Sequence, residues 1–169
     1  MRASQPAVLI GVIGPGEAAT ARDLEDARRA GELIARRGWV LLTGGRAAGV
    51  MDAASRGARD AGGLTVGVLP GQDAGGASAA LTIAIVTGIA EARNNVVALS
   101  CAALVACGMN PGTAAEVGLA LRAGKSVVLV RPDPRTAAFF RMIGGERIIE
   151  AADADDAVEH VARLVAPPG

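Results

Sequence analysis

The runs AVLIGVI (7–13), TVGVL (65–69), ALVAC (103–107) and SVVLV (126–130) are apolar at almost every position and too short for a helix. A strand with one wet face alternates apolar and polar residues, whereas a strand that reads this way is covered on both faces. Between the runs lie helical patterns. Residues 20–37 place Leu24, Ala27, Gly31, Ile34 and Ala35 at helical spacing, with Thr20 and Asp23 available to cap the start and Gly38 to stop it. Further strands are expected at 39–42, 82–86 and 148–149. Further helices are expected from 47–51 to about residue 61, over 91–100, from the 108–113 loop to Gly124, in a short piece ending at Met142, and from Asp153 onward. This alternation predicts an α/β fold: a mostly parallel sheet of about six to seven strands with helices on both faces, one domain over residues 1–169. Ligands of such sheets sit beyond the carboxyl ends of the strands. The loops that matter are therefore 14–19, 43–49, 70–80, 87–93 and 108–113.

Composition narrows the function. The chain of 169 residues is 51% hydrophobic but 2% aromatic, so its core is built from Val, Ile, Leu and Ala. The 17 basic and 17 acidic residues cancel, with no basic block. That argues against a nucleic-acid partner, which is held by phosphate neutralisation and base stacking. A small phosphorylated ligand needs only a few aligned backbone N–H groups. Cys101 and Cys107 form no C-x-x-C pattern and read as buried thiols. His160 reads as part of a solvated helix face, and no metal site can be assembled from this inventory. Residues 1–6 are short and polar, unlike a signal peptide, and no window is apolar enough to span a membrane. A soluble cytoplasmic protein is expected. Trp39 has no assigned role.

Several motifs compete. Gly11 to Gly16 looks like a dinucleotide fingerprint but is not G-x-G-x-x-G, and no acidic residue closes the second strand to hold a ribose. Gly14 and Gly16 can still bring backbone close to a phosphate. Gly124-Lys125-Ser126 lacks P-loop spacing and follows a helix instead of a strand. GGRAAGVM (44–51) is a glycine-dense strand-to-helix turn. Gly44, Gly45, Arg46 and Gly49 are candidates there for anion binding at a helix start, against the alternative of tight helix–sheet packing. Arg93 and Asn94 sit at the mouth of another strand, where a guanidinium can clamp a phosphate. Thr113-Ala114-Ala115-Glu116 fits the capping box S/T-x-x-E, which accounts for Glu116 structurally. Yet Pro111-Gly112 before it resembles a phosphate-cradling turn at the same sheet edge. Gly112, Thr113 and Glu116 therefore belong to the candidate site, and Glu116 can serve as cap and ligand contact together.

Two segments carry a family resemblance. GGRAAGVMDAASRGARDAGG (44–63) resembles the GGGxxGLMxxxAxGAxxxGG segment of the LONELY GUY and "lysine decarboxylase-like" Rossmann proteins. TGIAEARNNVVALSCAALVACGMNPGTAAEVGLALRAGKSVVL (87–129) resembles most the branch with molybdenum cofactor carrier proteins, and the similarity runs over about residues 7–150. The resemblance implies a modified Rossmann sheet in a homodimer or homotetramer. It implies a carrier that binds molybdenum cofactor, a phosphorylated pterin, with no catalytic step and no required cofactor. Phosphate would then be held by Gly44, Gly45, Gly112 and Thr113, with charge from Arg93.

The enzyme branch implies an alternative. LONELY GUY enzymes hydrolyse nucleoside 5'-monophosphates to free base and ribose 5-phosphate. Glu116 and Arg93 stand where that branch has its motif residues. In this alternative Glu116 stabilises the oxocarbenium-like sugar or activates water, and Arg93 holds phosphate or aids the leaving base. PLP-type lysine decarboxylation is not implied, because Lys125 at a strand start is a poor Schiff-base candidate. Three departures point to the carrier branch: Asn110-Pro111 where Gly-Gly is usual, Arg93-Asn94 where Arg-Lys is usual, and Gly14-Pro15-Gly16 in the first turn.

Overall fold

A computed structural model of the protein describes residues 7–166; the polar stretch 1–6 lies outside the described residues. The chain alternates strand and helix throughout: β1 (Leu9–Ile13), α1 (Ala21–Arg36), β2 (Val40–Thr43), α2 (Gly49–Asp60), β3 (Thr65–Leu69) and β4 (Ile83–Val86). A 3-10 turn (Ala90–Ala92) leads into α3 (Arg93–Ser100), followed by β5 (Ala103–Cys107), α4 (Pro111–Arg122), β6 (Ser126–Val130), α5 (Pro134–Gly144), β7 (Ile148–Ala151) and α6 (Ala154–Val165). The seven strands form one sheet in the order β4-β3-β2-β1-β5-β6-β7, and every pairing is parallel.

The order reverses at β1. The chain first builds outward through β2, β3 and β4, then returns to lay β5 on the other side of β1. Loops after β1 and β5 therefore diverge to opposite faces and open a crevice between them. Helices α1, α2 and α6 cover one face through Ala27, Ile34, Val50, Ala54, Val158 and Val161. Helices α3, α4 and α5 cover the other through Val97, Ala98, Val117, Ala120 and Phe140.

Small residues let these layers close. A Cβ on Gly31 would lie 2.1 Å from the Ala54 carbonyl oxygen, and one on Gly57 would lie 1.9 Å from that of Arg28. The α1–α2 contact is thus backbone against backbone. Helix α1 begins with the reciprocal cap expected from its sequence: Thr20 N–H donates to Asp23 at 2.9 Å, and Asp23 N–H donates to Thr20 Oγ1 at 3.2 Å. Trp39 packs against the α1–α2–α6 layer, with the Arg37 guanidinium 5.4 Å from its ring centre. Cys101 and Cys107 are buried, and burial pushes the Cys101 thiol up to about 12.

Two expectations need correction. The sheet is expected to carry helices on both faces, yet all four residues of β4 are exposed. It is the edge strand, and no helix among the described residues buries it. The capping box at Thr113 and Glu116 does not form. Asn110 is the N-cap of α4, its Oδ1 accepting from the Thr113 N–H at 2.8 Å and the Thr113 hydroxyl at 2.9 Å. Pro111 takes the first helical position, where a missing N–H does no harm. Glu116 therefore lies inside the helix and caps nothing.

Candidate functional site

The crevice at the β1–β5 reversal is a cavity of about 150 Å³. Its floor and walls come from the ends of β1 and β2, the 3-10 turn with the start of α3, and the loop into α4. The sequence-predicted residues Gly14, Gly16, Gly44 and Arg46 line it from the first two loops. Arg93 and Asn94 line it from α3, and Gly112, Thr113 and Glu116 from α4.

Gly45 and Gly49 do not line it. Gly45 has φ +77° and turns toward Gly67, where a Cβ would lie 2.9 Å from that residue's Cα. Gly49 has φ +52°, and a Cβ there would lie 2.1 Å from the Gly16 carbonyl oxygen. Their conformation and close packing account for both glycines. Lining residues not singled out from the sequence include Glu17, Met51, Glu91 and Asn110. For Asn110 the signal was present, since Asn before Pro-Gly is a strong N-cap pattern.

Arg93 is the centre of the arrangement. It is 5% exposed, and its Nε and Nη1 are buried with no hydrogen-bond partner among the described residues. A Cβ on Gly44 would fall 1.9 Å from Nη1, so the guanidinium lies directly over that glycine. Burial lowers the Arg93 pKa, with the Glu116 and Glu91 carboxylates working the other way. An arginine remains charged through such a shift. The result is a buried cation in the wall of a cavity.

Glu116 is 8% exposed, and burial pushes its carboxyl up to about 7, against the opposing pull of Arg93 and with some help from Glu91. A carboxyl held there exchanges a proton near neutral pH. Asn94 is buried beside Arg93, and its Oδ1 has no partner among the described residues. At the rim, the half-exposed Arg46 pairs with Glu17 at 3.0 Å.

The helix termini contribute less than their glycines suggest. The Val50 N–H of α2 is taken by the Pro15 carbonyl at 3.0 Å. In α4, Pro111 has no N–H and Asn110 holds that of Thr113, which leaves Gly112 as the lining residue with a first-turn donor. Charge in this crevice thus comes mainly from side chains.

Residues 7–159 match the model of the SLOG cluster4 family. The chain belongs to that family. An uncharacterized protein from Archaeoglobus fulgidus is 41% identical over 123 residues, which is 73% of this chain and 80% of that protein. The structure of the molybdenum cofactor binding protein from the phototrophic bacterium Rippkaea orientalis superposes with a TM-score of 0.94 at 44% identity, covering 96% of this chain and 100% of that one. The molybdenum cofactor carrier protein of Chlamydomonas reinhardtii superposes with a TM-score of 0.91 at 48% identity, covering 95% and 99%. The resemblance to carrier proteins drawn from residues 87–129 therefore extends over nearly the whole chain of this SLOG cluster4 member. Among the described residues no group of three or more His, Cys, Asp or Glu side chains could hold a metal ion, and no helix is long and apolar enough to cross a membrane.

Proposed function

We propose that this protein binds and carries molybdenum cofactor, with the phosphorylated end of the pterin in the β1–β5 crevice. The observation that carries the reading is Arg93, a residue that lines the cavity and whose buried guanidinium has Nε and Nη1 unpartnered among the described residues. Leaving charged donors unpaired is unfavourable, and an anion supplies what they lack. The likeness to solved cofactor carriers supports the identity of that anion.

Size fits this division. A pocket that encloses a whole small molecule is typically ~300–1,000 Å³. About 150 Å³ encloses one end of such a ligand. The phosphate would lie against Arg93, with Gly44 making room for the guanidinium, Gly16 permitting close approach and the Gly112 N–H donating at the start of α4. Arg46 would turn from Glu17 to close the rim. The pterin and its metal would extend outward as cargo, and the protein need supply no bond-breaking step. The exposed edge at β4 supports a homo-oligomer in which a second copy covers that strand. A soluble cytoplasmic carrier is the setting that agrees with these features.

The test is titration of the protein with molybdopterin, followed by gel filtration and fluorescence of the retained pterin after oxidation. Wild type should retain pterin, and Arg93→Gln should weaken binding by about thirtyfold or more, the effect of removing one partner of a buried charged contact. Equal retention by both proteins would contradict the assignment.

One observation favours a second reading: a carboxyl with a pKa of about 7 lies in the same cavity as Arg93. In a phosphoribohydrolase Glu116 would stabilise a cationic sugar or activate water. Release of ribose 5-phosphate from a nucleoside monophosphate, lost in Glu116→Ala, would establish that reading in place of a carrier.

A further inference from the structure

Arg93 and Asn94 are consecutive residues in the first turn of α3, and both line the crevice. At 5% and 8% exposure, each leaves little of itself accessible. Nε and Nη1 of Arg93 and Oδ1 of Asn94 are enclosed by the protein. Arg93 Nη2 and Asn94 Nδ2 are not enclosed, and neither has a hydrogen-bond partner among the described residues. The polar atoms that this pair leaves open are thus two nitrogens, and both are donors.

The two donors differ in kind. Arg93 is a cation and attracts an anion over a distance that salt shortens. The Asn94 amide is neutral and acts only through a directed hydrogen bond. A cation alone holds an anion in many orientations, whereas a second donor fixed beside it selects one. A hydroxyl or amine at the end of a ligand has a single acceptor atom and meets one of the two nitrogens. An oxyanion with two or more unprotonated oxygens meets both. A phosphate monoester with a second pKa of ~6 is such a group at neutral and higher pH.

We propose that Asn94 is a further ligand-binding residue: its amide Nδ2 donates to a second oxygen of the oxyanion held at Arg93, and so orients the anionic end of the ligand without adding charge to the crevice. This rests on the reading of the crevice as a phosphate-ester site, and adds to it the residue that sets the direction of the phosphate. The contact is with the phosphate itself, so it is shared by every ester that binds there, whatever the rest of the ligand offers.

The experiment compares wild type, Asn94→Leu and Arg93→Gln by calorimetric titration at pH 8 with molybdopterin, ribose 5-phosphate and phenyl phosphate, each at low and at high salt. Asn94→Leu should weaken all three esters by about tenfold, the effect of one hydrogen bond to a charged group, and by the same factor at both salt concentrations. Arg93→Gln should weaken all three by a factor that shrinks at high salt. Leucine is close to asparagine in size and removes an enclosed acceptor that has no donor, so the variant should melt no lower than wild type. Asn94→Ala, which adds no bulk, should show the same loss of affinity. Unchanged affinity in both Asn94 variants would overturn the proposal. So would a loss confined to molybdopterin and ribose 5-phosphate, because the contact would then be with ring N–H groups or hydroxyls. A loss that shrinks with salt as in Arg93→Gln would also overturn it, because Asn94 would then act only by placing Arg93. If molybdopterin fails to bind wild type while the other two esters bind, the cofactor reading falls alone, and those two esters decide the role of Asn94 by the same criteria. Failure of every ester to bind wild type overturns both.

Discussion

Glu116 shows how one buried side chain can link the fold to pH. Its carboxyl is shifted from an ordinary 4.5 to about 7, chiefly by burial. The folded protein therefore holds a proton that the unfolded chain releases in this window. Stability on this account is fullest below about pH 4.5 and declines as pH rises through about 7. The loss approaches a value on the order of 3 kcal/mol at pH 8. Glu116→Gln should thus melt close to wild type at pH 4.5 and several degrees higher at pH 8, as followed by thermal denaturation at the two pH values. The same proton affects the ligand. Ionised Glu116 opposes an anion held at Arg93, so affinity for phosphate esters should fall across pH 7 in wild type more steeply than in Glu116→Gln. Comparing the two proteins cancels titration of the ester itself. Identical pH profiles would contradict this coupling.

At the same scale, the sequence marked Arg93, Asn94 and Glu116 correctly as neighbours at one sheet edge, but it did not sort the glycines. Gly44, Gly45 and Gly49 look alike in a glycine-rich run. They separate only when the backbone is known: Gly44 lies beneath Arg93, while Gly45 and Gly49 have positive φ and pack against β3 and the Pro15-Gly16 turn respectively. A motif string carries no information on which way a missing Cβ would point.

The elements were more legible. β3, β5 and β6 occupy the residues that their apolar runs predict, because burial on both faces writes itself into every position. The α4 start was misread for a physical reason. Thr-x-x-Glu and Asn-Pro-Gly are both good helix beginnings, only three residues apart, and proline at the first helical position settles the choice in favour of Asn110. Helix packing gives a paired prediction at this scale. Gly57→Ala gains helix propensity of up to ~1 kcal/mol but forces a Cβ to within 1.9 Å of the Arg28 carbonyl oxygen, so the helices must separate. A net loss of about 1–3 kcal/mol should appear in urea denaturation. Gly118→Ala in α4 meets nothing within 4 Å and should be neutral or stabilising. A stabilising Gly57→Ala would mean that α1 and α2 are less tightly apposed than described.

For the whole molecule, the α/β class follows from the alternation of patterns, but strand order does not. The runs at 65–69 and 82–86 look equally suited to the centre of a sheet. Only the topology makes β4 an edge, with Ile83, Ile85 and Val86 exposed at 50%, 42% and 43%. Leu64 and Ile89 add to the apolar area exposed at the surface. A bare apolar edge invites pairing, and natural proteins cover such edges. The sequence of β4 suits the proposed homo-oligomer, in which a second copy would cover this strand. Light scattering after gel filtration should give a dimer or tetramer, and Ile85→Lys should shift it toward monomer. A wild-type monomer at micromolar concentration would contradict this.

The central claim is that the anionic end of the ligand lies against Arg93 at the reversal between β1 and β5. The most direct measurement is a crystal structure of the protein with bound molybdopterin. The account predicts the phosphate within hydrogen-bond distance of Arg93, above Gly44, with the pterin directed outward. A phosphate bound elsewhere, for example in the larger cavity beside Arg131 and Asp133 at the ends of β5 and β6, would contradict it.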